Sequence, residues 1–313
     1  MKIQIHNWQH KADILTNALK DAGVEIVKSK PDIYIIDFDG AVPYYTSKIE
    51  KAYQQGAEIV IYTHGAPVNM CWDRVWTPDD RVRLYLAQSK GEKAIMQSYD
   101  YPKPIEVIGW HYCKQRKYKP VKEIKRVLFA PWHPHDTGYL MPLARQINGE
   151  IFNKLRATPY ELTVMHVESV RANGLSHDSG VTYVESKKTV DFSLKYIDQA
   201  DVVVSNLMTV ASLAVARGKP MVAYGQDIRP HDGYDDDNIT YVKNWDKYRD
   251  MLRYPYDISN LKPKASQNLI EYAAQNEAKE WREKFIGEQL DKDKLLSVLN
   301  NILEVDSYDE IIG

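Results

Sequence analysis

The chain has 313 residues, enough for two domains of ordinary size, each with its own core. With 44% hydrophobic and 27% charged residues and no low-complexity tract it has a globular composition. A formal net charge of −2 excludes nucleic-acid binding through overall charge alone.

No apolar run approaches the roughly 18 residues that span a bilayer. The first six residues lack the apolar core of a secretion signal and read as a strand. Cys71 and Cys113 lie far apart, without metal or redox spacing, and a reduced, cytoplasmic setting is the simplest reading. Strands are expected at 3–5, 25–27, 33–36, 58–62, 84–87 and 106–108, with helices at 12–22, 47–54 and 91–97. Strands too apolar for one-sided exposure, alternating with helices, predict a parallel sheet covered on both faces.

Residues 114–125 are rich in Lys and Pro and read as an interdomain linker. From Lys114 to Arg126, seven basic residues stand against one acid, Glu123. Such a run is either a solvated linker or a contact for a phosphate-bearing partner. A second alternating series follows: strands at 127–130, 162–165, 181–184, 202–204 and 221–224, helices at 139–148 and 189–197, and a mainly helical tail at 267–303. The predicted fold class is α/β, two Rossmann-like doubly wound domains facing a central cleft. The expected domains are residues 1–118 and 119–266, with 267–313 a helical tail packing back across them. In such folds the ligand sits at the carboxyl ends of the strands.

Several strand ends there carry chemistry. Thr63-His64-Gly65 follows the strand 58–62. A histidine in that position, with an ordinary pKa near 6.5, either takes a proton from a hydroxyl at neutral pH or bonds to its own loop. The loop after 127–130 carries His133, His135, Thr137 and Gly138, whose backbone N–H groups and hydroxyl suit a diphosphate. His-Pro-His offers no i,i+4 ligand pair and no third ligand is evident, so no metal is expected. His166 closes the strand 162–165.

The most informative stretch is 200–220. A buried strand passes through Ser205 and Asn206 into a helix closed by Gly218 and Pro220, presenting free N–H groups and the hydroxyls of Ser205 and Thr209 to an anion. The same residues also serve as an ordinary helix cap. Gln226 and Asp227, after 221–224, are placed either to hold a sugar or ribose hydroxyl or to cap the next turn. Asp39, Lys114, Arg116 and Lys117 are the expected acceptor contacts.

His64-Gly65-Ala66-Pro67 resembles the His-Gly-Thr-Pro signature of the CDP-glycerol glycerophosphotransferase family. Residues 86–109 are similar to its strand, helix, Tyr-Pro, strand and Gly, with Trp110 where proline is expected. Residues 127–132 resemble its Tyr-Ala-Pro-Thr-Trp strand, and 164–166 its strand ending in His-Pro, with Val167 at the proline. Residues 204–227 resemble Thr-Asp-Tyr-Ser-Ser…Lys-Pro…Asp. The order of all five elements matches over roughly residues 58–230.

The resemblance implies membership of the GT-B group, which also holds glycosyltransferases and UDP-N-acetylglucosamine 2-epimerases. It implies a second domain that holds the nucleotide diphosphate, a first domain that holds the acceptor, and no bound metal or cofactor. It further implies His64 as base toward the acceptor, with His166, Ser205 and Thr209 lining the donor phosphates. Asn206-Leu207-Met208-Thr209 replaces Asp-Tyr-Ser-Ser and His133 replaces an arginine, which moves the expected donor from CDP-glycerol to a UDP- or CDP-linked sugar.

The expected activity is therefore glycosyl transfer to a hydroxyl of an acceptor such as DNA or a surface glycan. The alternatives are polyol-phosphate transfer, nucleotide-sugar epimerisation and a non-catalytic nucleotide-sugar-binding module. Epimerisation requires acids in the first-domain cleft. Asp37 and Asp39 lie there, but no matching glutamates occupy later strand ends.

Overall fold

The computed structural model describes residues 1–6, 12–36, 43–62, 79–98, 100–111, 115–132, 140–166, 175, 178–185, 190–207, 209–227 and 245–304. The chain divides into two compact units, one of 1–112, 237–244 and 284–313, the other of 113–236 and 245–283. Each is built on one all-parallel sheet, so the expectation of two doubly wound α/β units holds.

The first unit contains β1 (Lys2–Ile5), α1 (Ala12–Asp21), β2 (Glu25–Ile26), β3 (Ile33–Ile36), α2 (Pro43–Tyr53), β4 (Glu58–Ile61), β5 (Val82–Ala87), α3 (Lys90–Ser98) and β6 (Ile105–Val107). The strands lie in the order β2-β1-β3-β4-β5-β6. One face of the sheet carries Ile3, Ile33, Ile35, Val60 and Leu84 against Leu15 and Leu19 of α1. The last helix described, Lys292–Glu304, adds Leu295, Leu299 and Ile302 to the same core, at the four- and three-residue steps of a buried helical stripe. Gly109, after β6, has φ +87, and a Cβ there would lie 2.5 Å from the Gln289 carbonyl. Only glycine admits that approach.

The second unit contains β7 (Arg126–Ala130), α4 (Leu140–Arg156), β8 (Glu161–His166), β9 (Val181–Glu185), α5 (Val190–Gln199), β10 (Val202–Ser205), α6 (Thr209–Ala216) and β11 (Met221–Ala223). The helices α7 (Trp245–Leu252), α8 (Pro263–Gln275) and α9 (Lys279–Phe285) follow, and Lys292–Glu304 is α10. The sheet order is β11-β10-β7-β8-β9. Phe129, Val164, Val204 and Tyr224 pack against Ile151, Phe152 and Leu155 of α4 and Ile270 of α8.

The larger differences from expectation are in the helices. Helix α4 continues past Asn148-Gly149 to Arg156, because Ile151, Phe152 and Leu155 extend its buried stripe and packing outweighs the glycine. Helix α2 starts at Pro43, a residue suited to a first helical position. Helix α7 had no counterpart in the sequence reading.

The turn after β5 holds a buried acid. Ser89 caps α3 by accepting the Glu92 N–H at 3.1 Å, while the Glu92 carboxyl accepts the Gln88 N–H at 2.7 Å and the Tyr85 hydroxyl at 2.8 Å. Glu92 is fully buried, and desolvation pushes its pKa up to about 8 against the pull of those hydrogen bonds. Folded protein therefore holds a proton that the unfolded chain releases near 4.5. Stability from this group is complete below 4.5 and declines as pH rises to about 8. Glu92→Gln keeps one acceptor and one neutral partner for Tyr85, and it is expected to flatten that decline in urea midpoints measured across this range. An unchanged slope would show that Glu92 is ionised in the folded state.

Candidate functional site

In a parallel sheet all carboxyl ends share one edge, and the helices that follow begin there. In the second unit the chain winds outward from β7 through β8 to β9, then returns to β10 and β11 on the other side of β7. The winding direction thus reverses between β7 and β10, and the connections leaving these two strands diverge. Such a divergence opens a crevice at the carboxyl edge.

Ser205 ends β10 in register with Ala130 and Ala223 and is almost wholly buried. Asn206 is buried too, its Nδ2 donating to the Tyr224 carbonyl at 3.2 Å. Thr209 opens α6, so the first-turn N–H groups of that helix face the carboxyl edge. At the other end of α6, Gly218 and Lys219 donate to the carbonyls of Val215 and Ala214, closing the helix in a Schellman turn.

His166 ends β8 opposite Glu185 of β9. It is 7% exposed, and its Nδ1 is buried without a hydrogen-bond partner. Desolvation holds its pKa below the usual value, opposed by the Glu185 charge, so the ring is neutral at pH 7. Ser212, one turn into α6, likewise has a buried hydroxyl without a partner. Buried polar atoms are nearly always bonded.

The start of the loop after β7 is held from two sides. The Trp132 N–H is shared between Asn148 Oδ1 at 3.0 Å and Tyr224 Oη at 2.5 Å. Asn148 Nδ2 donates to the Trp132 carbonyl at 2.7 Å, and the Tyr224 hydroxyl donates to Asn148 Oδ1 at 2.8 Å. A fully buried asparagine in α4 and a tyrosine at the end of β11 therefore fix where this loop departs. Sequence reasoning missed both, since neither stands at a motif position.

The remaining expected residues fall differently. The Gln226 side chain is buried and tied within the fold, accepting the Tyr254 N–H at 2.6 Å and donating to the Tyr254 carbonyl at 3.1 Å and Asp257 Oδ2 at 2.6 Å. Asp227 is half-exposed beside Arg253 at 3.4 Å and Arg249 at 3.8 Å. Arg116 and Lys117 belong to the second unit. Their segment packs on the C-terminus of α6, with the Arg116 N–H donating to the Ala216 carbonyl at 2.8 Å. It therefore lies at the amino edge, about 13 Å from Ser205 at ~3.3 Å per strand residue. His64, Asp39, Lys114, His133, His135, Thr137 and Gly138 lie outside the described residues.

At the carboxyl edge of the first unit, Tyr62 follows β4 directly. Its hydroxyl donates to the Gly109 carbonyl at 3.2 Å and lies 2.7 Å from Nδ1 of the buried His111. This pair fixes the residue from which the segment carrying His64 departs, and no motif pointed to it. Among the described residues no group of three or more His, Cys, Asp or Glu is arranged to hold a metal ion. No helix among them is long and apolar enough to cross a membrane.

No protein-family model matches the chain, and no curated protein matches its sequence. Solved structures do match. The Methanocaldococcus jannaschii UDP-GlcNAc 2-epimerase, in complex with UDP-GlcNAc and UDP, aligns over 96% of this chain and 99% of its own, with a TM-score of 0.60 at 11% identity. The wall teichoic acid polymerase TagF, soaked with CDPG, aligns over 97% of this chain and 88% of its own, with a TM-score of 0.52 at 12% identity. The S. aureus MnaA–UDP structure aligns over 95% and 80%, with a TM-score of 0.51 at 13% identity. At these identities the likeness concerns the fold, which is the GT-B fold of two Rossmann-like units.

Asn148→Leu would strip the Trp132 N–H and carbonyl and the Tyr224 hydroxyl of a shared partner. A loss of about 2–4 kcal/mol is expected from leaving such buried groups unmet, read as a lower urea midpoint. A loss below about 0.5 kcal/mol, within the range of surface substitutions, would mean that the network does not hold the loop.

Proposed function

We propose that the chain is a glycosyltransferase that binds a nucleoside-diphosphate sugar at the carboxyl edge of its second unit and passes the sugar to an acceptor hydroxyl. The observation that carries this reading is His166: a neutral, nine-tenths-buried imidazole with an unpartnered nitrogen, at the edge where α6 begins. A diphosphate supplies the partner that the His166 nitrogen lacks. Its oxygens accept from His166, from the hydroxyls of Ser205 and Thr209 and from the first-turn N–H groups of α6, whose dipole favours negative charge.

The chemistry follows from the placement of charge. His64, leaving the carboxyl end of β4, takes the proton from the acceptor hydroxyl. The acceptor oxygen bonds to the anomeric carbon as the bond from that carbon to the donor phosphate oxygen breaks. Negative charge grows on the departing diphosphate, where preorganised donors contribute most to lowering the barrier. The chain's own groups stabilise it, and the reading calls for no metal and no cofactor. Support comes from neighbours of the same fold whose structures hold UDP or were soaked with CDPG.

Epimerisation is the second reading, favoured by the TM-score of 0.60 to the UDP-GlcNAc 2-epimerase. Proton shuttling on a sugar requires accessible acids in the first unit. The acid described at its carboxyl edge, Glu92, is fully buried and bonded to Tyr85 and Gln88. Asp37 and Asp39, the acids that follow β3 in sequence, lie outside the described residues, and the acceptor-free turnover test below decides between the two readings.

Thermal shift with UDP, CDP, GDP and their sugars tests the donor. At 100 times its Kd a true donor stabilises by about 2.7 kcal/mol. His166→Ala is expected to weaken that donor at least tenfold, and His64→Ala to leave its binding intact while abolishing transfer. No stabilisation by any nucleotide, or equal binding by His166→Ala, overturns the site. Turnover of UDP-GlcNAc without an acceptor would decide for epimerisation.

A further inference from the structure

The basic segment 115–126 is not a free linker. Its backbone is docked along the amino edge of the second unit, donating from Arg116 to Ala216, from Lys119 to Gly218 and from Val121 to Ala274. Gly218 has φ +70, and a Cβ there would meet the Lys117 carbonyl at 2.1 Å, so the segment lies directly on the turn after α6.

Burial along it repeats every three residues. Tyr118, Val121 and Ile124 turn inward, while Lys117, Lys119, Lys122, Lys125 and Arg126 are exposed. The same spacing sets Lys119, Lys122 and Lys125 on the outward side of the segment, which bends at Lys122 and Glu123.

Part of this charge has a local role. Helices α5, α6 and α8 end at this edge, and cations there offset their carbonyls. Lys219 serves that role, its Nζ donating at 2.8 Å to the carbonyls of both Asp198 and Ala200. Arg116 lies 3.7 Å from Asp198, Arg126 3.8 Å from Asp201, and Lys125 3.5 Å from the exposed Glu123. Lys117, Lys119 and Lys122 form no ion pair among the described residues, and their ammonium groups face solvent.

The segment ends at a cleft. Arg126, Thr163, Tyr196, Gln199 and Ala200 line a small cleft of about 80 Å³ that is partly open to solvent. Tyr196 there stacks obliquely on Phe192 with centroids 5.0 Å apart, and the Lys195 ammonium lies 5.4 Å from its ring. Exposed lysines leading to a cleft that holds a tyrosine are the combination that tracks a sugar-phosphate backbone and receives a base.

We propose that this amino edge is a docking surface for single-stranded nucleic acid, separate from the carboxyl-edge donor site. Lys119, Lys122 and Lys125 follow the phosphates, and Tyr196 takes a base at the end of the segment. A polyanion without bases would use the lysines alone, so the tyrosine is the element that favours nucleic acid.

The experiment is fluorescence anisotropy of a labelled oligothymidylate with the full chain, titrated between about 50 and 200 mM salt. Wild type is expected to bind with a steep salt dependence. Lys119→Gln/Lys122→Gln/Lys125→Gln is expected to lower the log–log salt slope by about 2, three contacts at about 0.7 each. Its melting temperature and its thermal shift with the nucleotide donor should stay as in wild type. Tyr196→Ala should weaken the oligonucleotide at least tenfold and leave inorganic polyphosphate unaffected.

Absence of wild-type binding at the lower salt, or an unchanged slope in the triple variant, overturns the surface. Polyphosphate binding as tight as the oligonucleotide, with Tyr196→Ala neutral for both, overturns the assignment to nucleic acid. Donor binding is scored separately, so failure here leaves the donor site standing.

Discussion

The reversal of winding between β7 and β10 is the constraint on which the functional reading rests. β10 pairs with β7 rather than with the open edge of β9, so the chain crosses back over β7 before continuing outward. The connections leaving β7 and β10 then part, and the first turn of α6 is left with N–H groups directed at the gap. Ser205, Asn206 and Thr209 stand at this place by topology. His166 reaches the same edge one strand beyond β7. What distinguishes the site from a generic strand–helix junction is that His166 and Ser212 each keep a buried polar atom unbonded.

The opposite edge obeys the complementary rule. Helices end there, so carbonyls accumulate, and the chain answers with Lys219 and the docked segment 115–126. The two edges are therefore electrostatically distinct by construction. One offers N–H groups and neutral hydroxyl and imidazole donors; the other offers lysines that exceed what the helix ends require. A compact anion and an extended polyanion are matched to these two arrangements respectively.

Much of the architecture was legible because it is carried by local pattern. Continuous apolar runs such as 33–36 and 202–204 exposed the parallel strands, and glycines 56 and 218 marked helix ends through their backbone freedom. Ser205–Thr209 and His166 were legible because strand ends are recognisable and few residue types occupy them. The Asn148–Tyr224–Trp132 clamp was not, since it joins residues 16 and 92 positions apart through side chains that look ordinary in sequence. The ties of Gln226 were hidden for the same reason: its partners, Tyr254 and Asp257, come from a segment about 30 residues away. The basic run was visible as charge, but its docking on α6 and α8 depends on contacts that no periodicity encodes.

The most direct measurement is a crystal structure of the chain soaked with UDP. The account predicts the diphosphate at the carboxyl edge of the second sheet, with oxygens within about 3 Å of the α6 first-turn N–H groups and of His166 Nδ1, the ordinary range for such hydrogen bonds. A diphosphate bound anywhere else in the second unit, with the His166 nitrogen still unpartnered, would contradict it.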